Sequence, residues 1–164
     1  MKITVKLNNG FLPDKYSKFS DTKISDQPVV SFPIHLENIP DNTKYLAVTL
    51  IDYDAVTRTG APFIHWLISD IPVQNNIPED FSRNFTGPQG KNTWYSRFYT
   101  LNDDYVINHY AGPVPPDKPH AYTLTVYALN QSTDLENGFF YNQFRDSLEN
   151  KIIDQQEIKL LAKK

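Results

Sequence analysis

Polar and apolar residues alternate with period two in five stretches of the chain: Lys2 to Leu7, Val29 to Leu36, Tyr45 to Asp52, Phe63 to Ile71 and His120 to Leu129. Each is rich in Val, Ile, Thr or aromatic residues, so each predicts a β-strand with one buried face. The connections between them are long, notably Asn8 to Pro28 and Pro72 to Thr93. Loops of that length in a compact domain tend to carry function or to wrap a sheet edge. After Pro119 the punctuation by proline stops, and Phe140, Phe144, Leu148 and Ile152 recur every fourth residue. That spacing predicts one amphipathic helix between Asp134 and Ile152, with Asp134 or Asn137 as its N-cap. Glu157 to Ala162 fits an extension of the helix or an edge strand, and Ile158 and Leu160 favour the strand.

Composition sharpens this picture. The 164 residues, 40% hydrophobic and 21% charged, suit one globular domain, 1–164, with a core of its own. Ten Tyr, ten Phe and two Trp against one Met describe a core of rigid rings and β-branched side chains, as pleated sheets favour. Lys and Arg number 16 against 19 Asp and Glu, a net charge of -3, so no basic excess exists to bind nucleic acid through its phosphates. No apolar run approaches the roughly 20 residues of a membrane span. Met1 to Gly10 alternates and has no apolar signal core, and there is no cysteine; a cytoplasmic location is the expectation.

Candidate chemistry lies where polar groups interrupt apolar strand faces. Leu46, Val48, Leu50, Asp52 and Asp54 share one side if the extended conformation persists, so an apolar face ends in two carboxylates. Phe63, His65, Leu67 and Ile71 share a face of the next strand, and an antiparallel pairing of the two brings Asp52 or Asp54 near His65. His120 and Tyr122 likewise lead into Leu124, Val126 and Ala128. Two imidazoles, one or two carboxylates and a phenol therefore meet at the rim of the sheet. A carboxylate beside an imidazole fixes its tautomer and favours its protonated form, which makes a donor-rich seat for an anion. Just before His120, the stretch from Tyr110 to Pro119 is a stiff, proline-rich loop in which Gly112 lets the backbone approach a ligand. Two rival chemistries use the same residues. His65, His120 and a carboxylate are a two-histidine, one-carboxylate metal set, and a His-Asp pair can assist a hydrolase. Neither has a supporting local motif, since there is no His-x-x-x-His pair, no Gly-x-Ser-x-Gly elbow and no cysteine.

Four ordered motifs, Asp-x-Asp-Ala at 52 to 55, His65-Trp66, Tyr-x-Gly-Pro-x-Pro-Pro at 110 to 116 and His-x-Tyr at 120 to 122, resemble the phosphatidylethanolamine-binding protein family, most closely its bacterial Raf-kinase-inhibitor-like branch. The resemblance covers nearly the whole chain. It implies a mainly β fold, an antiparallel β-sandwich with one or two peripheral C-terminal helices. It also implies a metal-free, non-enzymatic pocket, without cofactor, for phosphate or a phospholipid headgroup. The residues it points to are Asp52, Asp54, His65, Tyr110, Gly112, Pro113, His120 and Tyr122. Regulation of protein partners and a homodimer are further implications. Tyr53 and Val56 stand where the family motif has prolines, and Ala121 where it has arginine.

Overall fold

The stretches with the strongest alternation become the central strands of the computed structural model, which describes residues 1–164. In chain order the elements are β1 (Lys2–Thr4), β2 (Lys23–Ile24), β3 (Gln27–Pro28), β4 (Ile34–Glu37), β5 (Tyr45–Asp52), α1 (Val56–Thr59), β6 (Phe63–Pro72), β7 (Asn76–Ile77), α2 (Phe81–Asn84), α3 (Asp104–Ile107), β8 (His120–Leu129), α4 (Tyr141–Ser147) and β9 (Ile152–Ala162). Strands β6, β5, β8 and β9 form one sheet in that order, β1, β4 and β7 form a second, and all their pairings are antiparallel.

The alternation then decides the layers. Leu46, Val48, Leu50, Leu124, Val126 and Leu160 of the large sheet face Ile3, Ile34, Leu36 and Ile77 of the small one, which is the expected antiparallel sandwich. On the other side of the large sheet, Ala47, Leu67 and Leu129 pack under Phe139, Phe144 and Leu148 around α4. A buried polar network ties loops to this core. Gln89 Oε1 accepts from Trp66 Nε1 (3.1 Å) and Ser82 Oγ (2.7 Å), Gln89 Nε2 donates to the Ser82 carbonyl (2.8 Å), and the Tyr110 amide donates to Ser82 Oγ (2.9 Å).

Several elements differ from the sequence expectation. Lys2 to Leu7 pairs only to Thr4, because its partner β4 begins at Ile34. Val29 to Leu36 is strand only from Ile34, since Pro33 has no N–H to give a ladder. The helix spans Tyr141–Ser147 alone, with Phe140 as N-cap, its amide donating to Gln143 Oε1 (2.8 Å). Asp134 takes a left-handed turn (φ 57°), and Asn137 Oδ1 instead accepts from the Gln89 amide (2.9 Å). Ile152 is half-exposed and opens β9, whose ladder with β8 runs to Ala162.

The most consequential difference is in β6. Its pairing with β5 is out of step at two places: Leu50 faces Trp66 while Ile51 faces Ile64, and Leu46 faces Ile71 while Val48 faces Ile68. Each irregularity inserts one residue into β6, and an inserted residue exchanges the two faces of a strand. Hence Trp66 and Ile68, not Leu67, join the main core, whereas Leu67 lies on the α4 side. The first inserted residue is His65.

Gln89→Leu should strand the Trp66 N–H, the Ser82 hydroxyl and the Ser82 carbonyl together. We expect a loss of about 3 kcal/mol, at roughly 1 kcal/mol or more per unpaired buried group. Urea unfolding measures it, and a loss below about 1 kcal/mol would show that the network is dispensable.

Candidate binding pocket

Three strand ends meet at one edge of the large sheet. The last residue of β5, Asp52, lies between Phe63 at the start of β6 and Tyr122 near the start of β8. Beside this row opens a cavity of about 380 Å³, whose floor is Asp52, His65, His120 and Tyr122. Its walls come from loops: Ala55, Arg58 and Thr59 at α1, Trp94 and Tyr99, Gly112, Val114 and Pro116, and Gln27. Phe63, Trp94 and Tyr99 pack edge to face on one another, with ring centroids 5.0–5.5 Å apart, so one wall is a rigid aromatic cluster. Asn92 holds Trp94 in place, accepting from its amide (3.0 Å) while donating to the carbonyls of Val106 (2.6 Å) and His109 (2.9 Å). Two buried side-chain atoms without a partner, Gln27 Oε1 and Trp94 Nε1, belong to lining residues.

The two imidazoles have opposite surroundings. His120 is clasped between carboxylates: Nδ1–H donates to Asp52 Oδ2 (2.7 Å) and Nε2–H to Asp117 Oδ1 (2.9 Å). Burial disfavours its charge, but the bonds to Asp52 and Asp117 outweigh that, and its pKa is raised above 6.5. His65 is buried with no carboxylate of its own. Nδ1–H donates to the Ala111 carbonyl (2.7 Å), and desolvation pushes its pKa down to about 4. At neutral pH it is an uncharged ring whose Nε2 carries a lone pair. Burial also raises the Tyr122 phenol far above its usual range, so it stays a hydroxyl donor.

Of the sequence-derived candidates, Asp52, His65, Gly112, His120 and Tyr122 line the cavity; Asp54, Tyr110 and Pro113 do not. The extended conformation stops at Asp52, and the turn into α1 sends Asp54 outward, where Oδ2 accepts from the Ala121 amide (2.9 Å). Tyr110 is a core residue, packed on Phe32 and Trp66, with its hydroxyl donating to the Tyr16 carbonyl (2.7 Å). Pro113 is an anchor, its carbonyl accepting from the Lys18 amide (2.9 Å). A Cβ on Gly112 would fall 2.5 Å from the Tyr16 carbonyl oxygen and 2.9 Å from Pro28 Cβ, so the close approach that needs glycine is to the protein's own chain. Asp52 comes near His65, as the antiparallel pairing of β5 and β6 implied, but its hydrogen bond goes to His120, while His65 binds a backbone carbonyl. Arg58, Trp94 and Tyr99 had no signal in the strand pattern, because the short helix α1 and the segment before α3 deliver them.

The comparisons with known proteins agree with this architecture. Residues 2–163 match the family model described as phosphatidylethanolamine-binding protein. An uncharacterised Bacillus subtilis protein, YxkA, is 44% identical, with 94% of this chain and 95% of that one covered. A Pyrococcus horikoshii protein of the UPF0098 group is 28% identical over 92% of this chain and 70% of its own length. Among solved structures, the Chlamydia trachomatis homologue CT736 superposes with a TM-score of 0.77 at 24% identity, covering 99% of this chain and 96% of that one. Escherichia coli YbcL gives 0.74 at 23% identity, covering 99% and 98%.

The two rings should titrate on opposite sides of pH 6.5. For His120 the folded pKa is raised, so its contribution to stability is complete below about pH 6.5 and is lost as pH rises through the folded value. For His65 the folded pKa is lowered to about 4, so stability is lost as pH falls from about 6.5 towards 4. Ring-proton NMR, assigned with His→Gln variants, measures both midpoints. Asp52→Asn should lower that of His120, and coincident midpoints would disprove the separate environments.

Proposed function

The chain belongs to the phosphatidylethanolamine-binding protein family, and on that premise we propose that it is a non-enzymatic binding protein whose cavity takes a small organic anion by a phosphate-like head. The observation that carries this reading is the convergence on one cavity of Arg58, both imidazoles and the Tyr122 hydroxyl. Arg58 takes part in none of the ion pairs of the chain, so its guanidinium is available to an incoming oxyanion. The cavity is larger than a bare phosphate needs and is of the size of a small-molecule site. Its aromatic wall suits an apolar body attached to the head. A cytoplasmic location belongs to the same proposal. No helix is long and apolar enough to cross a membrane.

The polar groups favour binding over catalysis. His120 spends both ring nitrogens on carboxylates, so it has no lone pair with which to take a proton from a nucleophile. Thr59, the one lining hydroxyl of Ser or Thr type, donates to the carbonyl of Ala61 (2.6 Å) or Ala55 (3.0 Å). A two-histidine metal centre would need two free ring nitrogens, and three of the four here are engaged. No group of three His, Cys, Asp or Glu residues is arranged to hold a metal.

Ligand entry should therefore draw a proton onto His65. An oxyanion at Nε2 supplies the partner charge that burial withholds, so binding raises the His65 pKa and affinity falls as pH rises. Calorimetry with phosphoethanolamine across about pH 5 to 9, corrected for the ligand's own ionisation, tests this. We expect proton uptake on binding, its disappearance in His65→Gln, and an affinity about tenfold weaker in Arg58→Gln, in line with the loss of one charge-assisted hydrogen bond. Absence of binding at every pH would overturn the anion-binding reading, and a flat profile would assign the head to neutral donors.

A further inference from the structure

We propose that Asp117 is an internal stand-in for the ligand: its carboxylate occupies the seat on His120 Nε2 that the anionic head takes on binding, and so sets which anions enter. This rests on the anion-binding reading of the cavity. The observation behind it is that one imidazolium has two carboxylates, and the two are not equivalent. The Asp52 side chain is 5% exposed, ends a central strand and also accepts from the Ala55 amide (3.2 Å). Asp117 is 37% exposed and lies in a surface turn, where its other bond is with the amide of its neighbour Lys118 (2.9 Å). The charge of His120 needs only one partner, and Asp52 is the one built into the fold. Asp117 is the removable one.

Position supports the same assignment. His120 and Pro116 line the cavity, and Asp117, next to Pro116 in the chain, is itself outside the lining but bonded to His120 Nε2 (2.9 Å). Pro115, Pro116 and Pro119 stiffen the backbone on both sides. The carboxylate can therefore leave by side-chain rotation into solvent without remodelling the loop. While it is seated, the His120 side chain is 2% exposed and offers no free N–H.

Selectivity follows from the tether. A tethered carboxylate competes at an effective concentration on the order of millimolar. A free monocarboxylate brings the same chemistry and has no advantage over it. A phosphate monoester carries up to two charges and further oxygens for Arg58, which lines the same cavity, and so can displace the resident group. Asp117 thus biases the site against carboxylates and towards phosphate-bearing ligands.

The test compares inorganic phosphate and acetate as probes of the full chain and of Asp117→Ala, following the His120 ring, the Lys118 amide, His65 and Arg58 by NMR. In the unmodified protein, phosphate should shift the Lys118 amide as the carboxylate leaves, and acetate should not bind. In Asp117→Ala, acetate should occupy the vacated seat and raise the His120 pKa, and phosphate should bind about tenfold more tightly. Asp117→Asn keeps an acceptor for the Lys118 amide, so a gain of phosphate affinity there too excludes a merely loosened loop. A gain confined to Asp117→Ala would overturn the proposal. So would unchanged affinities in both variants with phosphate still moving His65 and Arg58, a result that leaves the anion pocket standing. Phosphate that moves neither His65 nor Arg58 in any of the three proteins would remove the pocket reading, and the role of Asp117 with it.

Discussion

An imidazolium and a carboxylate buried together at the end of an apolar sheet face are the constraint on which the pocket depends. Taking either charge out of water alone costs several kcal/mol, so the fold must deliver Asp52 and His120 to one another. It does so by register. Asp52 pairs with Tyr122 across β5 and β8, and His120 stands two residues further along the same face. A slip of one residue would send Asp52 to the opposite face and leave His120 with no buried partner. The ladder that places Leu46, Val48 and Leu50 over the small sheet is thus the ladder that places the ion pair, and hydrophobic and electrostatic requirements select the same alignment.

His65 shows how one inserted residue changes chemistry. The bulge turns its ring towards the cavity while Trp66, next in sequence, goes to the main core. The strand also meets the proline-rich loop here: the Ala111 amide donates to the His65 carbonyl (3.0 Å) and the His65 ring donates to the Ala111 carbonyl. This reciprocal pair closes one side of the cavity and fixes the tautomer. The chain therefore holds two imidazoles around one space, one whose charged form its carboxylates favour and one kept neutral by burial. Of the four ring nitrogens only His65 Nε2 is left without a hydrogen-bond partner.

Period-two alternation predicted the residues that strands deliver to the floor of the cavity, Asp52, His65, His120 and Tyr122, because their direction is set within a few residues of chain. It misplaced Leu67, since nothing local in Phe63 to Ile71 announces an insertion whose parity depends on the partner strand. It also carried Asp54 too far, because the turn after Asp52, begun by the local bond of the Ala55 amide to Asp52, is secured by the Ala121 amide on Asp54, a bond across 67 residues that exists only once the chain is folded. Trp94 was illegible for the same reason, being held by Asn92 through carbonyls more than ten residues away. The C-terminal segment read weakly as strand because β9 is an edge strand, mostly exposed, with little more than Ile158, Leu160 and Ala162 turned to the core.

The departures from the family motif fall where these constraints are weakest. Tyr53 and Val56, in place of prolines, are both about half-exposed. Val56 is the first residue of α1, a position where proline is tolerated because its N–H is not needed by the helix, so the exchange for valine leaves the helix its start. Arg58 therefore keeps its place in the wall of the cavity. Ala121 points away from His120 and Tyr122, and its contribution to the site is made by the backbone, the amide that holds Asp54 in its turn. A side chain larger than alanine at 121 would change the outer surface of β8 and leave that amide in place. The floor of the cavity is thus fixed by the strands and their buried charges, while its rim, from Arg58 to Asp117, is made of exposed residues that those constraints leave free to vary.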